Sequence, residues 1–230
     1  QAGVHALVSA IEYCMAGKGR YGLAVAADAP CGPADSNVEH ALGAAAAAFV
    51  VGPDGGAATF ENSFSVTHET FGSRFRRHGE DTLSDLELRT RDNLASAKAL
   101  GEKMSLSQLG DVKHLALGAD AGLMRGVGKA LDLPQAEIDA LWSMVGDAGS
   151  ASAPFALAAA LDVARDGEKI LCAGIGSGAT AALLTAGKNL TKSRRKGLKV
   201  RDLVASGKVV DYITYLKHRR MLSSRFGGTG

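Results

Sequence analysis

The side chains best suited to chemistry in this 230-residue sequence are a cysteine beside a glycine turn, three histidines and two knots of arginine. Cys172 leads into Gly174-Ile175-Gly176-Ser177-Gly178, where glycines would leave backbone N–H groups open to an approaching anion. A pyrophosphate at a helix N-terminus would suit that outline, yet about twenty residues on stand Arg194, Arg195 and Lys196, not the acid that a dinucleotide ribose requires. On an ordinary strand Cys172 is a small buried hydrophobe. His68, His78 and His114 are the candidate bases, and a surface or capping role would equally account for each. Arg74, Arg76 and Arg77 belong to a charged stretch over 62–92, for which a solvated face is the plain reading.

Several elements must position these groups. The small-residue turn Gly146-Asp147-Ala148-Gly149-Ser150 leads into a run in which Phe155, Leu157, Ala158, Leu161 and Ala164 recur at helical spacing, stopped by Asp166-Gly167. Lys169 to Ala173 is an apolar run of strand length ending at the glycines, and Ala179 to Ala186 suits a strand as well as a helix. Near the start, Val4, Leu7, Val8, Ile11 and Met15 share one helical face, and Tyr21 to Ala27 follows as a buried strand. Helix into buried strand predicts a parallel or mixed sheet. Ala41 to Val51 reads as a tightly packed core element. Leu94 to Met104 and Gly122 to Leu131 are helical, Leu115 to Leu117 is a short strand, and a further helix begins near Pro134. Helix, strand, glycine turn and small-residue run occur once near the start and again after Gly146, the pattern of a duplicated half-fold.

Composition narrows the class. The length allows one large domain or two small ones. A net charge of +2 and 5% aromatic residues give no case for nucleic acid. Three cysteines without metal-ligand spacing point to a reduced, cytoplasmic protein with no bound metal. No apolar run reaches the roughly 18 residues of a membrane span. Gln1 is not an initiator and no basic leader precedes the first helical pattern, so the expectation is an N-terminal portion that is cleaved or carried elsewhere.

GDAGSASAPFALAAAL and the Cys172 to Gly178 run resemble two motifs of the thiolase superfamily. YGLAVAADAP, ALGAAAAAFVVG, SFSVTHETFGSRFRRHGE and the closing DYITYLKHRR extend the likeness over nearly the whole chain to hydroxymethylglutaryl-CoA synthases of the archaeal and bacterial kind and related thiolase-like acyltransferases. The resemblance implies a layered α/β/α/β/α sandwich of two related βαβαβ halves. Residues 1–93 would be the remainder of the first half, with a charged insertion at about 62–92, and 94–230 the second half.

The implied chemistry forms or cleaves a C–C bond next to a CoA thioester through an acyl group held on a cysteine at a helix N-terminus. By register that nucleophile belongs either immediately before Gln1 or at Gln1 with the cysteine replaced. In thiolases a cysteine at the place of Cys172 is the acid/base at the acyl α-carbon. Two departures stand out. Leu117-Gly118-Ala119-Asp120 replaces the family's His and Asn, and Asp147 replaces an Asn or His in the turn. The implied catalytic set is therefore Cys172, Asp147, His68 and His114. Gly176 and Gly178 would line the CoA site, and either Arg74 to Arg77 or Arg194, Arg195 and Lys196 would hold the CoA phosphates. The implied partners are acyl-CoA, a second copy or a thiolase-like sister, and a small OB-fold zinc-ribbon protein. A non-catalytic subunit of such a complex is the alternative.

Overall fold

The computed structural model describes residues 1–67, 74–85, 91–104, 109, 111–117, 121–133, 137–138, 142–176, 178–194 and 198–222. Helix α1 (Ala2–Met15) forms as its spacing predicts and buries Gly3, Val4, Leu7, Val8 and Ile11 along one stripe. Strand β1 (Gly22–Asp28), the short helix α2 (Asn37–Ala41) and strand β2 (Ala45–Val51) follow. β1 and β2 pair antiparallel from Gly22 opposite Val51 to Asp28 opposite Ala45. The alanine-rich run is thus a strand whose residues alternate between half-buried and exposed, not an element packed on all sides.

Next come β3 (Ala58–Val66), the small pair β4 (Arg74–Phe75) and β5 (Ser84–Asp85), α3 (Arg91–Lys103), β6 (Val112–Ala116), α4 (Ala121–Ala130) and β7 (Glu137–Ile138). The chain continues through α5 (Trp142–Val145), a 3-10 turn at Gly149–Ala151, α6 (Ser152–Val163), β8 (Lys169–Gly176) and β9 (Gly178–Ala186). Helices α7 (Leu190–Arg194), α8 (Val200–Ala205) and α9 (Tyr212–His218) close it. The helix expected from Pro134 falls mostly outside the described residues, and its described part, Glu137–Ile138, is strand β7, held by pairing with β6. No helix among the described residues is long and apolar enough to cross a membrane.

Five strands form one mixed sheet in the order β3-β9-β8-β6-β7, with β6 parallel to β7 and β8, and β9 antiparallel to both its neighbours. Alternation assigns its two faces. Ile170, Cys172, Ala182 and Leu184 pack with Val4, Leu7 and Val8 of α1 and with Ala156, Leu157 and Ala160 of α6. Leu171, Ala173, Ala181 and Leu183 pack on the other side with Ala97 and Leu100 of α3 and Val127 of α4. The β1–β2 ribbon lies on the far side of α1 and α6. The layers therefore run ribbon, helices, five-stranded sheet, helices.

This topology decides the alternative left open at the glycine turn. Ala179–Ala186 is a strand that turns straight back on β8, with Gly176 opposite Gly178 and Gly178 at φ +106°, so the glycine turn does not open a helix as a dinucleotide-binding turn would. A side chain there would be strained, which is why glycine occupies the turn. The sheet draws on both sides of residue 93, since β3 pairs with β9 over Ala58 to Val66.

Candidate active site

Three segments meet at the start of α1. The first is the glycine end of the β8–β9 hairpin. A Cβ on Gly174 would lie 2.8 Å from the Cα of Gln1, so only glycine lets the helix start settle on the strand. Along the same face Thr180, opposite Gly174, is buried, and its hydroxyl lies 2.8 Å from Nε2 of His5 and 3.0 Å from the hydroxyl of Ser65. Among the described residues a Cβ on Gly176, by contrast, would meet nothing closer than Cγ of Gln1 at 3.9 Å.

The second segment is the turn at Asp147. Gly3, in the first turn of α1, packs so closely on it that a Cβ would fall 2.2 Å from the carbonyl oxygen of Ser150. The Asp147 carboxylate accepts hydrogen bonds from the backbone N–H of Gly149 (2.9 Å), the hydroxyl of Ser152 (3.1 Å) and the guanidinium of Arg74 (2.7 Å). Both ionic partners are about one-third exposed, which limits the strength of the pair but fixes the carboxylate's direction.

The third is the segment linking β1 to β2. The N–H of Asp147 donates to the Ala41 carbonyl at 2.8 Å, and the N–H of Gly43 donates to the Asp147 carbonyl at 3.0 Å. At the other end Asp28 accepts from the N–H and the hydroxyl of Ser150, each at 3.1 Å.

The remaining sequence-derived residues are placed differently. Cys172 is wholly buried in the core between the sheet and α1 and α6, its thiol 3.6 Å from the carbonyl oxygen of Ala153. Burial pushes that thiol up to about 12, so it stays protonated at neutral pH. His114 is buried toward the Lys169 end of β8, away from the glycines, with Nε2 2.9 Å from a carboxylate oxygen of Glu168. That hydrogen bond, with one from the Arg165 N–H, holds the Glu168 carboxyl below its usual range. Arg194 donates to the carbonyls of Leu161 and Ala164 and so closes the last turn of α6. His68, Ser177, Arg195 and Lys196 lie outside the described residues. Arg77 pairs with Glu80 at 3.5 Å, and Arg76 is exposed.

The structure thus brings together Asp147, Arg74, Gly174, Gly176, Gly178 and the start of α1, and leaves His114 and Arg194 elsewhere. Sequence reasoning missed His5 and Ser152. His5 lies four residues after Gln1, on the same helical face, and that spacing was the available signal. The arrangement offers bare backbone over a glycine floor, a fixed carboxylate with its guanidinium, and an imidazole held by a buried hydroxyl, a set suited to polarising a carbonyl and moving a proton beside it.

No family model matches the chain. It is 30% identical over 234 residues to the hydroxymethylglutaryl-CoA synthase of Pyrobaculum arsenaticum and 29% identical over 232 residues to that of Pyrococcus furiosus, in each case across 96% of the chain. The chain spans 66% of the length of these curated relatives. Among solved structures, MvaS in complex with 3-hydroxy-3-methylglutaryl coenzyme A superposes with a TM-score of 0.70 at 17% identity, over 95% of this chain and 64% of that one. PksG, a hydroxymethylglutaryl-CoA synthase from Bacillus, superposes with a TM-score of 0.69 at 17% identity over 93% of this chain and 59% of that one. A ketoacyl-acyl carrier protein synthase III from Thermus thermophilus gives 0.60 at 22% identity, over 80% of this chain and 65% of that one. The shared fold is the thiolase-like α/β sandwich.

Proposed function

We propose, from the premise that this chain belongs to the thiolase superfamily and is hydroxymethylglutaryl-CoA synthase-like, that it serves as an acyl-CoA acyltransferase. The reaction forms or cleaves a C–C bond next to a CoA thioester, with the acyl group carried on a cysteine. The supporting observation is the convergence of the α1 start, the glycine hairpin and the Asp147 turn on one place. Developing negative charge on a thioester oxygen would find backbone N–H groups and the positive end of α1 there.

The acyl-accepting sulfur is none of the three cysteines of this sequence. Cys14 is in the last turn of α1, Cys31 follows β1, and Cys172 is core. The reading therefore places that sulfur at the α1 N-terminus, either immediately before Gln1 or at Gln1 with the cysteine replaced. Arg76 and Arg77 are the better candidates for the CoA phosphates, because the Arg194 guanidinium is engaged by α6.

The ion pair of Arg74 with Asp147 favours a second reading. A carboxylate where the superfamily has Asn or His would repel an enolate, unless the guanidinium offsets its charge. A non-catalytic subunit that supports a thiolase-like sister would tolerate that. Purified protein, together with any N-terminal portion that carries the acyl-accepting cysteine, incubated with acetyl-CoA and followed by intact mass and by release of free CoA thiol tests the first reading. A covalent acyl adduct with turnover is expected. Absence of both would overturn it, and turnover that appears only with a co-purified sister chain selects the second reading.

A further inference from the structure

The closing motif Asp211-Tyr212…Tyr215…Arg219 takes no part in the chemistry above, yet each of its members has a defined task. Asp211 caps α9, accepting from the N–H of Thr214 at 2.8 Å and from its hydroxyl at 3.0 Å. Tyr212, Tyr215 and Arg219 fall at spacings of three and four on one helical face. The Tyr212 hydroxyl donates to Oε2 of Glu39 at 2.8 Å, and the N–H of Asp35 donates to the same oxygen at 2.6 Å. Tyr215 stacks on Tyr212 with centroids 6.0 Å apart. Arg219 donates to the carbonyls of Pro30 (2.9 Å) and Ala29 (3.3 Å).

Glu39 is only 4% exposed, an unusual place for a carboxylate. Its Oε1 and the Nε of Arg219 are both buried without a hydrogen-bond partner among the described residues. Burying such polar groups costs stability unless they are hydrogen-bonded, and the bonds these two make tie down one conformation. The conformation they fix is that of the segment between β1 and β2. Ala29 and Pro30 follow directly on Asp28, which holds Ser150, and α2 runs from Asn37 to Ala41, whose carbonyl holds the N–H of Asp147.

We propose that α9 is a positioning clamp for the active-site turn: Tyr212, through Glu39, and Arg219, through the Ala29 and Pro30 carbonyls, hold the 29–43 segment in the one placement that presents Asp147 to Arg74. These are positioning residues, since none touches the reacting centre. The inference rests on reading the Asp147 turn as the site, but the clamp itself is tested without any substrate.

The test is native-state hydrogen exchange on the full chain, comparing wild type with Tyr212→Phe, Glu39→Ala, Glu39→Gln and Arg219→Met. Tyr212→Phe removes one hydroxyl and keeps the ring stack. It should speed exchange at the amides of Gly43, Asp147 and Ser150 by roughly tenfold or more, the scale of losing a hydrogen bond to a charged group. Glu39→Ala and Arg219→Met should do the same, while amides of β8 and β9 stay unchanged. Glu39→Gln keeps an acceptor for Tyr212 and Asp35, and should restore slow exchange at those three amides. Faster exchange confined to α9, an equal rise throughout the sheet, or Glu39→Gln behaving like Glu39→Ala would each overturn the clamp. None of these results depends on whether the protein transfers acyl groups.

Discussion

Strand β8 of the five-stranded sheet and the β1–β2 ribbon are both apolar runs, in very different surroundings. In β8, residues Ile170 to Ala173 are all fully buried, because α1 and α6 cover one face and α3 and α4 the other. In the ribbon only the α1 side is covered. Ala24 and Ala26 are buried, whereas Leu23 is 64% and Val50 75% exposed on the opposite side. An apolar run therefore encodes a strand fit for burial on both faces, and the layers laid over it decide whether both are covered. The candidate site sits where these two regions are joined, at hydrogen bonds from the 29–43 segment to the Asp147 turn.

Substitutions on the two regions sharpen that contrast. Leu171→Ala removes a wholly buried side chain from the sheet and should cost about 3 kcal/mol, lowering the melting temperature by about 10 °C. Gly174→Ala inserts a Cβ 2.8 Å from Gln1 and should cost about 2 kcal/mol, with the start of α1 displaced, readable by thermal unfolding and by exchange at its first-turn amides. Val50→Thr, on the open face of the ribbon, should change stability by no more than about 0.5 kcal/mol. A loss like that of Leu171→Ala would break the comparison, because it would mean the ribbon face is covered in solution.

A pH series probes the buried thiol. Folded Cys172 keeps its proton up to about 12, while the unfolded chain releases it in the ordinary thiol range. Stability that is complete below that range should decline as pH climbs through it toward 12. Cys172→Ala should flatten this alkaline limb in denaturant unfolding. The wild-type thiol should also resist alkylation until the chain unfolds, after the half-buried Cys14 and Cys31 have reacted.

Much of this architecture could be read from spacing. Val4, Leu7, Val8 and Ile11 fix both α1 and the face it buries, and the small-residue turn before α6 marks Asp147. The edge pairing of the sheet was illegible because β3 finds its partner in β9, more than a hundred residues on, and nothing local announces it. Arg74 and Asp147 are separated by 73 positions, so each was noticed and their ion pair was not. His114 looked like a base, but the strand that carries it directs it to Glu168 at the far end of β8.

Gly176 gives the most direct test of the site itself. Among the described residues a Cβ there would meet only Gln1 Cγ, at 3.9 Å, so Gly176→Leu should fold with little change in melting temperature while filling the space above the glycine floor. Calorimetric titration with hydroxymethylglutaryl-CoA should show saturable binding to the wild-type chain and a loss of affinity of roughly tenfold or more in Gly176→Leu, the scale of an occluded pocket contact. Equal binding by both proteins, or binding by neither, would contradict the assignment of this place as an acyl-CoA site.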